Sequence, residues 1–255
     1  MTFNGNDELS TRHLDFVFVI DATGTTGKAI KQLKEQIPQL LFNVMAGTEE
    51  SGYRSRIRVR IVDFADYASE AGDAIHASRF FSYPDELDSI EATLDGIRYL
   101  KRGGDVPENG LEALYVAMQS EWVPLDGRLR GRHDIILLTD APPLPLGVRT
   151  GCLGYPEHYY PETLREFEDI WNEDDPLESL GGTKRCPISS NCKRLVLIAP
   201  DEGWSALYNW DLVLHYRPNT AADSTLFFDV EGLVDCFIPN PDREECIWYD
   251  MDDDE

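Results

Sequence analysis

The chain has 255 residues, 42% of them hydrophobic, and its acidic residues outnumber its basic ones 47 to 23. This length suits one α/β domain with a sizeable core, whereas the formal net charge of −24 repels polyanions and argues against nucleic-acid binding. We find no apolar run long enough to span a bilayer and no signal peptide, so we expect a cytoplasmic protein that does not bind membranes. The odd number of cysteines, five, predicts free thiols.

The first element is a strand that ends in a polar loop. Residues 16–20 are an unbroken run of aromatic and β-branched side chains, which predicts a strand buried on both faces of a parallel sheet. Asp21 ends the run, and Thr23, Gly24 and Thr25 follow it. Open α/β sheets bind ligands at the carboxyl ends of their strands, and these hard oxygen atoms suit Mg²⁺ or Mn²⁺. A simpler interpretation of the same residues involves no metal: the strand ends, the chain turns, and a threonine caps the helix that follows.

Periodicity predicts the elements that come next. Apolar residues at helical spacing indicate helices over residues 28–45 and 84–100, and Pro38 is expected to kink the first of them. Alternating basic and apolar residues predict a strand over residues 57–64, nearer the edge of the sheet. Residues 79–82 are a candidate for a short strand.

A second polar loop reads GGDVPE and spans residues 103–108. Its two glycines permit a tight turn before Asp105, and Pro107 suits the first turn of a helix expected to run to about residue 122. The loop therefore presents a carboxylate on a rigid support, although Asp105 could equally be the N-cap of that helix.

A third loop repeats the design of the first. Residues 133–140 read HDIILLTD, so a buried apolar run ends just before Asp140. Pro142 and Pro143 then stiffen the exit from the strand. A single aspartate in this position is usually a cap or a solvated loop residue, but here it is the third carboxylate to follow this pattern.

The remaining sequence continues the alternation of strands and helices. We interpret residues 144–191 as an insertion over the carboxyl edge of the sheet, because they are rich in Gly, Pro and charge. The other elements predicted are helices over residues 161–171, 204–210 and 224–236 and strands over residues 194–199 and 213–216. Such alternation implies a mostly parallel sheet with helices on both faces.

The three loops together resemble those of the von Willebrand factor type A (VWA) domain. In that family the first loop reads Asp-x-Ser-x-Ser, the second supplies Thr or Asp and the third supplies Asp, which together form a metal-ion-dependent adhesion site. The segments DATGT, GGDVPE and LLTDAPP occur here in the same order. The second and third look like the branch of the family that carries GGD-x-PE and TDAPP, which is found in bacterial cytoplasmic proteins and some eukaryotic kinases.

The resemblance implies a Rossmann-like, three-layer α/β fold over residues 13–238, with residues 144–191 as an insertion. Residues 1–12 would be a polar N-terminal segment and residues 239–255 an acidic tail. It also implies one Mg²⁺ or Mn²⁺ ion. The ligands, direct or through water, would be Asp21, Thr23, Thr25, Asp105 and Asp140.

The function implied is binding to another protein, without catalysis. Proteins of this branch look like scaffolds in bacterial multi-protein systems, associated with kinases or phosphatases or of a defence type. Asp105 stands where adhesive members usually carry Thr, so the ion and three carboxylates sum to about −1 and should attract an acidic partner less strongly. The rim that a partner touches would comprise Gly24, Val106, Pro107, Glu108, Pro142 and Pro143.

Other interpretations remain open. DATGT also looks like the DKTGT loop of the haloacid dehalogenase superfamily, which would make Asp21 the nucleophile of a Mg²⁺-dependent phosphatase, although the later motifs occur in the wrong order for that family. The segment GTTGK falls short of a nucleotide-binding P-loop, because Ala29 stands where Ser or Thr should be. A zinc site is a further alternative. Its ligands would be Cys152, His158, Cys186 and Cys192, although their spacings match no CxxC pattern.

Overall fold

A computed structural model describes residues 11–23, 27–68, 74–97, 107–125, 130–172, 187–188, 192–217 and 230–238. Within these ranges the strands are β1 (Thr11–Asp21), β2 (Arg54–Phe64), β3 (Ile75–Ala77), β4 (Phe81–Tyr83), β5 (Arg130–Leu138), β6 (Lys193–Ile198) and β7 (Val213–Tyr216). The helices are α1 (Gly27–Glu50), α2 (Leu87–Gly96), α3 (Gly110–Met118), α4 (Leu164–Trp171), α5 (Asp201–Trp204) and α6 (Val230–Phe237). A 3₁₀ turn, Ser205–Leu207, follows α5.

The strands form one sheet in the order β3-β2-β1-β5-β6-β7, with β4 also paired to β2. Strands β1, β2, β5, β6 and β7 are parallel, whereas β3 and β4 run antiparallel to β2. The predicted Rossmann-like α/β fold with a mostly parallel sheet is therefore confirmed. Chain order reverses between β1 and β5, so the crevice outside their carboxyl ends is the topological switch point where such sheets bind ligands.

The register places several strand ends at one level. Asp21 pairs with Phe64 of β2, and Ile20 pairs with Leu138 of β5, which in turn pairs with Ile198 of β6. The loops that follow β1, β2, β5 and β6 consequently leave the sheet side by side, as the sequence predicted for the first and third polar loops.

Strand β1 separates two apolar layers, because its side chains alternate between the faces of the sheet. Phe16, Phe18 and Ile20 pack on the layer that contains α1, α2 and α6. Val17 and Val19 pack on the layer that contains α3, α4 and the 3₁₀ turn. Every one of these side chains is buried, which explains why the run is apolar throughout rather than alternating with polar residues.

Tertiary contacts shift several helix boundaries from those predicted. Helix α1 continues past residue 45 to Glu50 and is followed by Gly52 in a left-handed conformation (φ 84°). Helix α3 begins at Gly110 rather than at Pro107, because the backbone of Glu108 pairs with the Pro142–Leu144 segment instead of entering the helix. Strand β3 was not predicted, since three residues are too few to show a period.

The segment predicted as an insertion supplies a structural helix as well as surface loops. Thr163 caps α4 by accepting a hydrogen bond from the Glu166 amide at 3.1 Å. Phe167 and Trp171 of α4 are buried in the same apolar layer as α3, so α4 is the crossover helix between β5 and β6. Across the stretches that the structure describes, none of the helices is long and apolar enough to cross a membrane.

A buried polar network braces the amino-terminal end of the sheet. Arg58 donates to both carboxylate oxygens of Asp15, and the Val123 amide donates to Oδ2 of Asp15 at 2.9 Å. His133, beside them, donates from Nε2 to the Val123 carbonyl at 3.0 Å. Burial lowers the pKa of His133, and Arg58 adds to this effect, whereas Asp15 and Asp134 oppose it.

We expect His133 by itself to lower the free energy of unfolding as the pH drops below about 6.5, the pKa of an unperturbed histidine. The unfolded chain takes up a proton at His133 that the folded chain, with its lowered pKa, does not. This loss is at most about 1.4 kcal/mol at pH 5.5. Urea unfolding at pH 7.5 and 5.5 measures it as the difference between the native chain and His133→Gln, which keeps a donor for Val123. The comparison is needed because Asp21 and Glu108, whose pKa values are raised, stabilise both proteins as the pH falls. Exposed His158→Gln is the control, and identical pH profiles for all three proteins would contradict the assignment.

Candidate functional site

Asp21 is the centre of the carboxyl edge. It is the last residue of β1, and its side chain is 1% exposed. Its Oδ1 accepts hydrogen bonds from the Thr23 amide at 2.8 Å and the Thr23 hydroxyl at 2.7 Å. Its Oδ2 accepts one from the Thr139 hydroxyl at 2.6 Å. The carboxylate therefore ties the loop after β1 to the loop after β5.

The loop after β5 is held in place from two sides. Thr139 accepts a hydrogen bond from the Ala141 amide at 3.1 Å, which tightens the turn around half-buried Asp140. Trp204 of α5 donates its indole N–H to the Ala141 carbonyl at 2.9 Å. Gly203, with φ 75°, packs so closely on Pro143 that a Cβ would lie 2.6 Å from its ring. The third polar loop is thus braced by α5, which follows β6.

Glu108 completes the described part of the site. Its amide donates to the Pro142 carbonyl at 3.1 Å, and its own carbonyl accepts from the Leu144 amide at 2.7 Å. The side chain is 2% exposed and lies close to Asp21 and within hydrogen-bonding reach of the Thr23 hydroxyl. Its Oε2 has no hydrogen-bond partner among the residues that the structure describes.

The electrostatics of this edge are dominated by buried negative charge. Burial raises the pKa of Asp21 to about 6, and the charge of Asp140 adds to that effect, although hydrogen bonds from Thr139 and Thr23 oppose it. Burial also raises the pKa of Glu108 to about 8, and its next largest cause is the charge of Asp21. Two neighbouring buried carboxyl groups with raised pKa values suit an additional positive charge beside them.

The nearest described cation already has a partner. Arg149 donates through Nε and Nη2 to the two carboxylate oxygens of Asp66, in the loop after β2. This bidentate ion pair fastens the 144–172 segment to the carboxyl edge, as expected for an insertion that covers it. Arg149 only partly offsets the charge of Glu108, whose pKa remains raised.

The predicted site residues fall into four groups. Asp21, Thr23 and Asp140 are at the carboxyl edge. Thr25 and Asp105 of the predicted ligand set, with Gly24 and Val106 of the rim, lie outside the described residues. Pro107, Pro142 and Pro143 are half-buried along the predicted rim. Glu108, which was predicted for the same rim, is instead buried inside the site.

No three His, Cys, Asp or Glu side chains in the described ranges are grouped closely enough to hold a metal ion. This statement does not extend to Asp105. Of the suggested zinc ligands, Cys152 and Cys192 form no disulfide within the described ranges, whereas Cys186 lies outside the described residues.

Sequence reasoning missed two residues that shape the site, Thr139 and Trp204. Thr139 lies directly before a candidate ligand, and a hydroxyl at the end of a buried strand was a signal that could have been used. Trp204 offered no comparable signal, because its bond to Ala141 joins residues 63 positions apart.

Comparison with known proteins gives little guidance. The chain matches no protein-family model and no curated protein. Two crystal structures of the pilus adhesin SpaC from Lactobacillus rhamnosus GG, one of them in an open conformation, are similar to it at 14% identity with a TM-score of 0.38. The similarity covers 52% of this chain and 15% and 16% of the two adhesin chains. A likeness this weak supports no conclusion about fold or function.

We expect Trp204→Phe to weaken binding at the metal site that the sequence predicts for this edge, because it removes the indole bond that holds the loop around Asp140. Trp171→Phe is the matched control, since it removes an indole bond to the Asp211 carbonyl, outside the site. Each variant should lose about 1 kcal/mol of unfolding free energy. Calorimetric titration with Mn²⁺ should show roughly threefold weaker binding for Trp204→Phe alone. Equal affinities of the two variants for Mn²⁺ would show that the bond from Trp204 to Ala141 does not position the site.

Proposed function

We propose that this chain is a VWA-type domain that binds one Mg²⁺ or Mn²⁺ ion at the carboxyl edge and uses that edge to bind another protein. The observation that carries the proposal is the position of Asp21, whose buried carboxylate lies at the topological switch point and is bonded to Thr139 of the third polar loop. The order of the three loops along the chain adds support from sequence.

The described residues fit a hard divalent cation. Their donor atoms are carboxylate and hydroxyl oxygens, which Mg²⁺ and Mn²⁺ prefer. Asp21, Thr23 and Asp140, with Thr25 and Asp105, would hold the ion directly or through water. The buried Oε2 of Glu108 lacks a protein donor among the described residues, so it suits the same ion or a water bound to it. When bound, the ion supplies a coordination position for an oxygen atom of a partner or of water.

The charge of the site limits the kind of contact that a partner can make. Three aspartates already exceed the charge of one divalent ion, and Glu108 adds a fourth carboxyl group beside Asp21. A carboxylate from a partner would meet net negative charge. A neutral oxygen or a water-mediated contact is therefore the interaction that this site favours.

The immediate surroundings of Asp21 weigh against the phosphatase alternative. A nucleophilic carboxylate must reach its substrate, but Asp21 is 1% exposed and both of its oxygens accept hydrogen bonds from Thr23 and Thr139. We accordingly propose a non-enzymatic module. The resemblance to bacterial cytoplasmic members suggests a scaffold in a multi-protein system, beside kinases or phosphatases or in defence.

We expect Asp21→Asn to abolish binding of Mg²⁺ and Mn²⁺, because it removes the central carboxylate charge. Isothermal titration calorimetry measures this, and Asp88→Asn is the matched control because it removes an exposed aspartate on α2. In the native chain, metal at about 100 times its Kd should stabilise the fold by about 2.7 kcal/mol. Equal metal uptake by Asp21→Asn and the native chain would exclude Asp21 as a ligand.

The same variants separate the two functional classes. Incubation of the native chain with p-nitrophenyl phosphate and Mg²⁺ should give no turnover. Steady hydrolysis that disappears in Asp21→Asn but persists in Asp88→Asn would favour the phosphatase over the binding module.

A further inference from the structure

Residues 147–162 form an unusual surface next to the carboxyl edge. Val148, Leu153 and Tyr159 are 51%, 74% and 43% exposed, and they are among the most exposed large apolar side chains of the described structure. Arg149, by contrast, is anchored to Asp66 by its bidentate ion pair. The segment is therefore fixed to the domain while these three apolar side chains are exposed and available for contact with a partner.

A cavity of about 390 Å³ opens in this segment. We call it the tyrosine cavity, and its wall includes Gly147, Thr150, Tyr155, Glu157, Tyr160 and Glu162. Its volume falls within the range of natural ligand pockets, roughly 300–1,000 Å³. None of the residues that line it is a Lys or Arg, and the basic side chain among them is that of exposed His158, so its two glutamates have no permanently charged partner within the cavity.

The aromatic wall is rigid. Tyr155 packs edge-on against Tyr67 with ring centroids 5.0 Å apart, and its ring lies 5.3 Å from that of Tyr160. The hydroxyl groups of Tyr67 and Tyr160 are hydrogen-bonded at 2.7 Å. A ligand would therefore enter a preformed wall, which reduces the entropy lost on binding.

Negative charge surrounds this wall on both sides. Glu157 and Glu162 are exposed at the cavity, and neither carboxylate contacts a described residue through a hydrogen bond or ion pair. Behind the wall, Glu112 is 0% exposed and accepts a hydrogen bond from the Tyr155 hydroxyl at 3.3 Å on Oε1. The Gly147 backbone, which also lines the cavity, lies beside the same carboxyl group.

Glu112 adds a buried carboxyl group behind the wall, although it is not one of the residues that line the cavity. Its Oε2 is buried without a hydrogen-bond partner among the described residues, and such an atom costs stability unless something else satisfies it. Burial raises the pKa of Glu112, as expected for a carboxyl group that no described cation neutralises. A cationic group in the cavity would interact favourably with the aromatic rings and with Glu157 and Glu162, which line it, whereas Glu112 would act only at longer range from behind Tyr155.

We propose that the tyrosine cavity binds an arginine side chain of a partner protein. A planar guanidinium group stacks on aromatic rings and donates bidentate hydrogen bonds to carboxylates, which matches Tyr155, Glu157 and Glu162 better than a compact ammonium group does. The exposed apolar side chains around the cavity would contact the partner's surface beside that arginine. The chain's net charge of −24 would also steer a basic partner toward it.

The test uses N-acetyl-arginine amide as the probe and N-acetyl-citrulline amide as its uncharged isostere. Both are titrated into the full chain, ¹⁵N-labelled, while amide chemical shifts are recorded. EDTA is present, so a failure of the proposed metal site does not affect the result. The arginine probe should shift the amides of residues 147–162 with a Kd on the order of 1 mM, and the citrulline probe should bind at least about tenfold more weakly.

Variants test the contribution of each carboxyl group. The double variant Glu157→Gln with Glu162→Gln should weaken binding about tenfold, and Glu112→Gln about threefold. Glu91→Gln with Asp88→Asn, on the exposed face of α2, removes the same formal charge elsewhere and should leave binding unchanged. Because the first pair is on the surface, its result stands even if Glu112→Gln does not fold. Equal binding of citrulline, shifts spread over the acidic surface, or equal losses in both double variants would overturn the proposal.

Discussion

The hydrogen bond from Thr139 to Asp21 is the contact on which the carboxyl edge depends. It joins residues 118 positions apart, and it is buried, so water does not compete for either partner. A hydrogen bond to a carboxylate contributes about 1.5–3 kcal/mol, more than one between neutral groups. Because Asp21 also binds Thr23, one carboxylate sets the relative positions of the loops that leave the two central strands. The parallel register of β1 and β5 brings the two residues together.

The same edge concentrates charge that the fold alone does not neutralise. The pKa values of Asp21 and Glu108 are both raised, chiefly by burial, which means that their ionised forms cost folding free energy. Structural carboxylates are normally paired with Arg or Lys, as Asp15 is with Arg58. Buried acids that lack such partners are typical of sites that bind a cation. The two ends of the sheet differ in this respect: Asp15 at the amino-terminal end is paired with Arg58, whereas at the carboxyl end Arg149 pairs with Asp66 and the pKa values of Asp21 and Glu108 remain raised.

Helix α3 connects the metal-binding proposal with the tyrosine cavity. Glu108 precedes its first turn and faces Asp21, and Glu112 lies within that turn and contacts Tyr155. Between them, the side chain of Asn109 accepts a hydrogen bond from the Tyr67 amide at 3.0 Å. The start of one helix thus supplies buried acids to two neighbouring regions, the carboxyl edge and the wall of the tyrosine cavity. The Asp66–Arg149 pair fixes the segment that contains the tyrosine cavity. A partner that reached both surfaces would combine an oxygen contact at the edge with a basic anchor in the cavity.

The sequence by itself determined the alternation of strands and helices, the mostly parallel sheet and the position of Asp21 at the end of a buried strand. These features depend on periodicity and on residues that are neighbours in the chain, which sequence reasoning can evaluate. Only the tertiary structure decided the strand order, the late start of α3, the burial of Glu108 and the bonds of Thr139 and Trp204 to their distant partners. Each of these depends on side chains tens of residues apart that meet only when the sheet is assembled. Periodicity describes which face of an element is apolar, but it does not specify which polar group will lie opposite it.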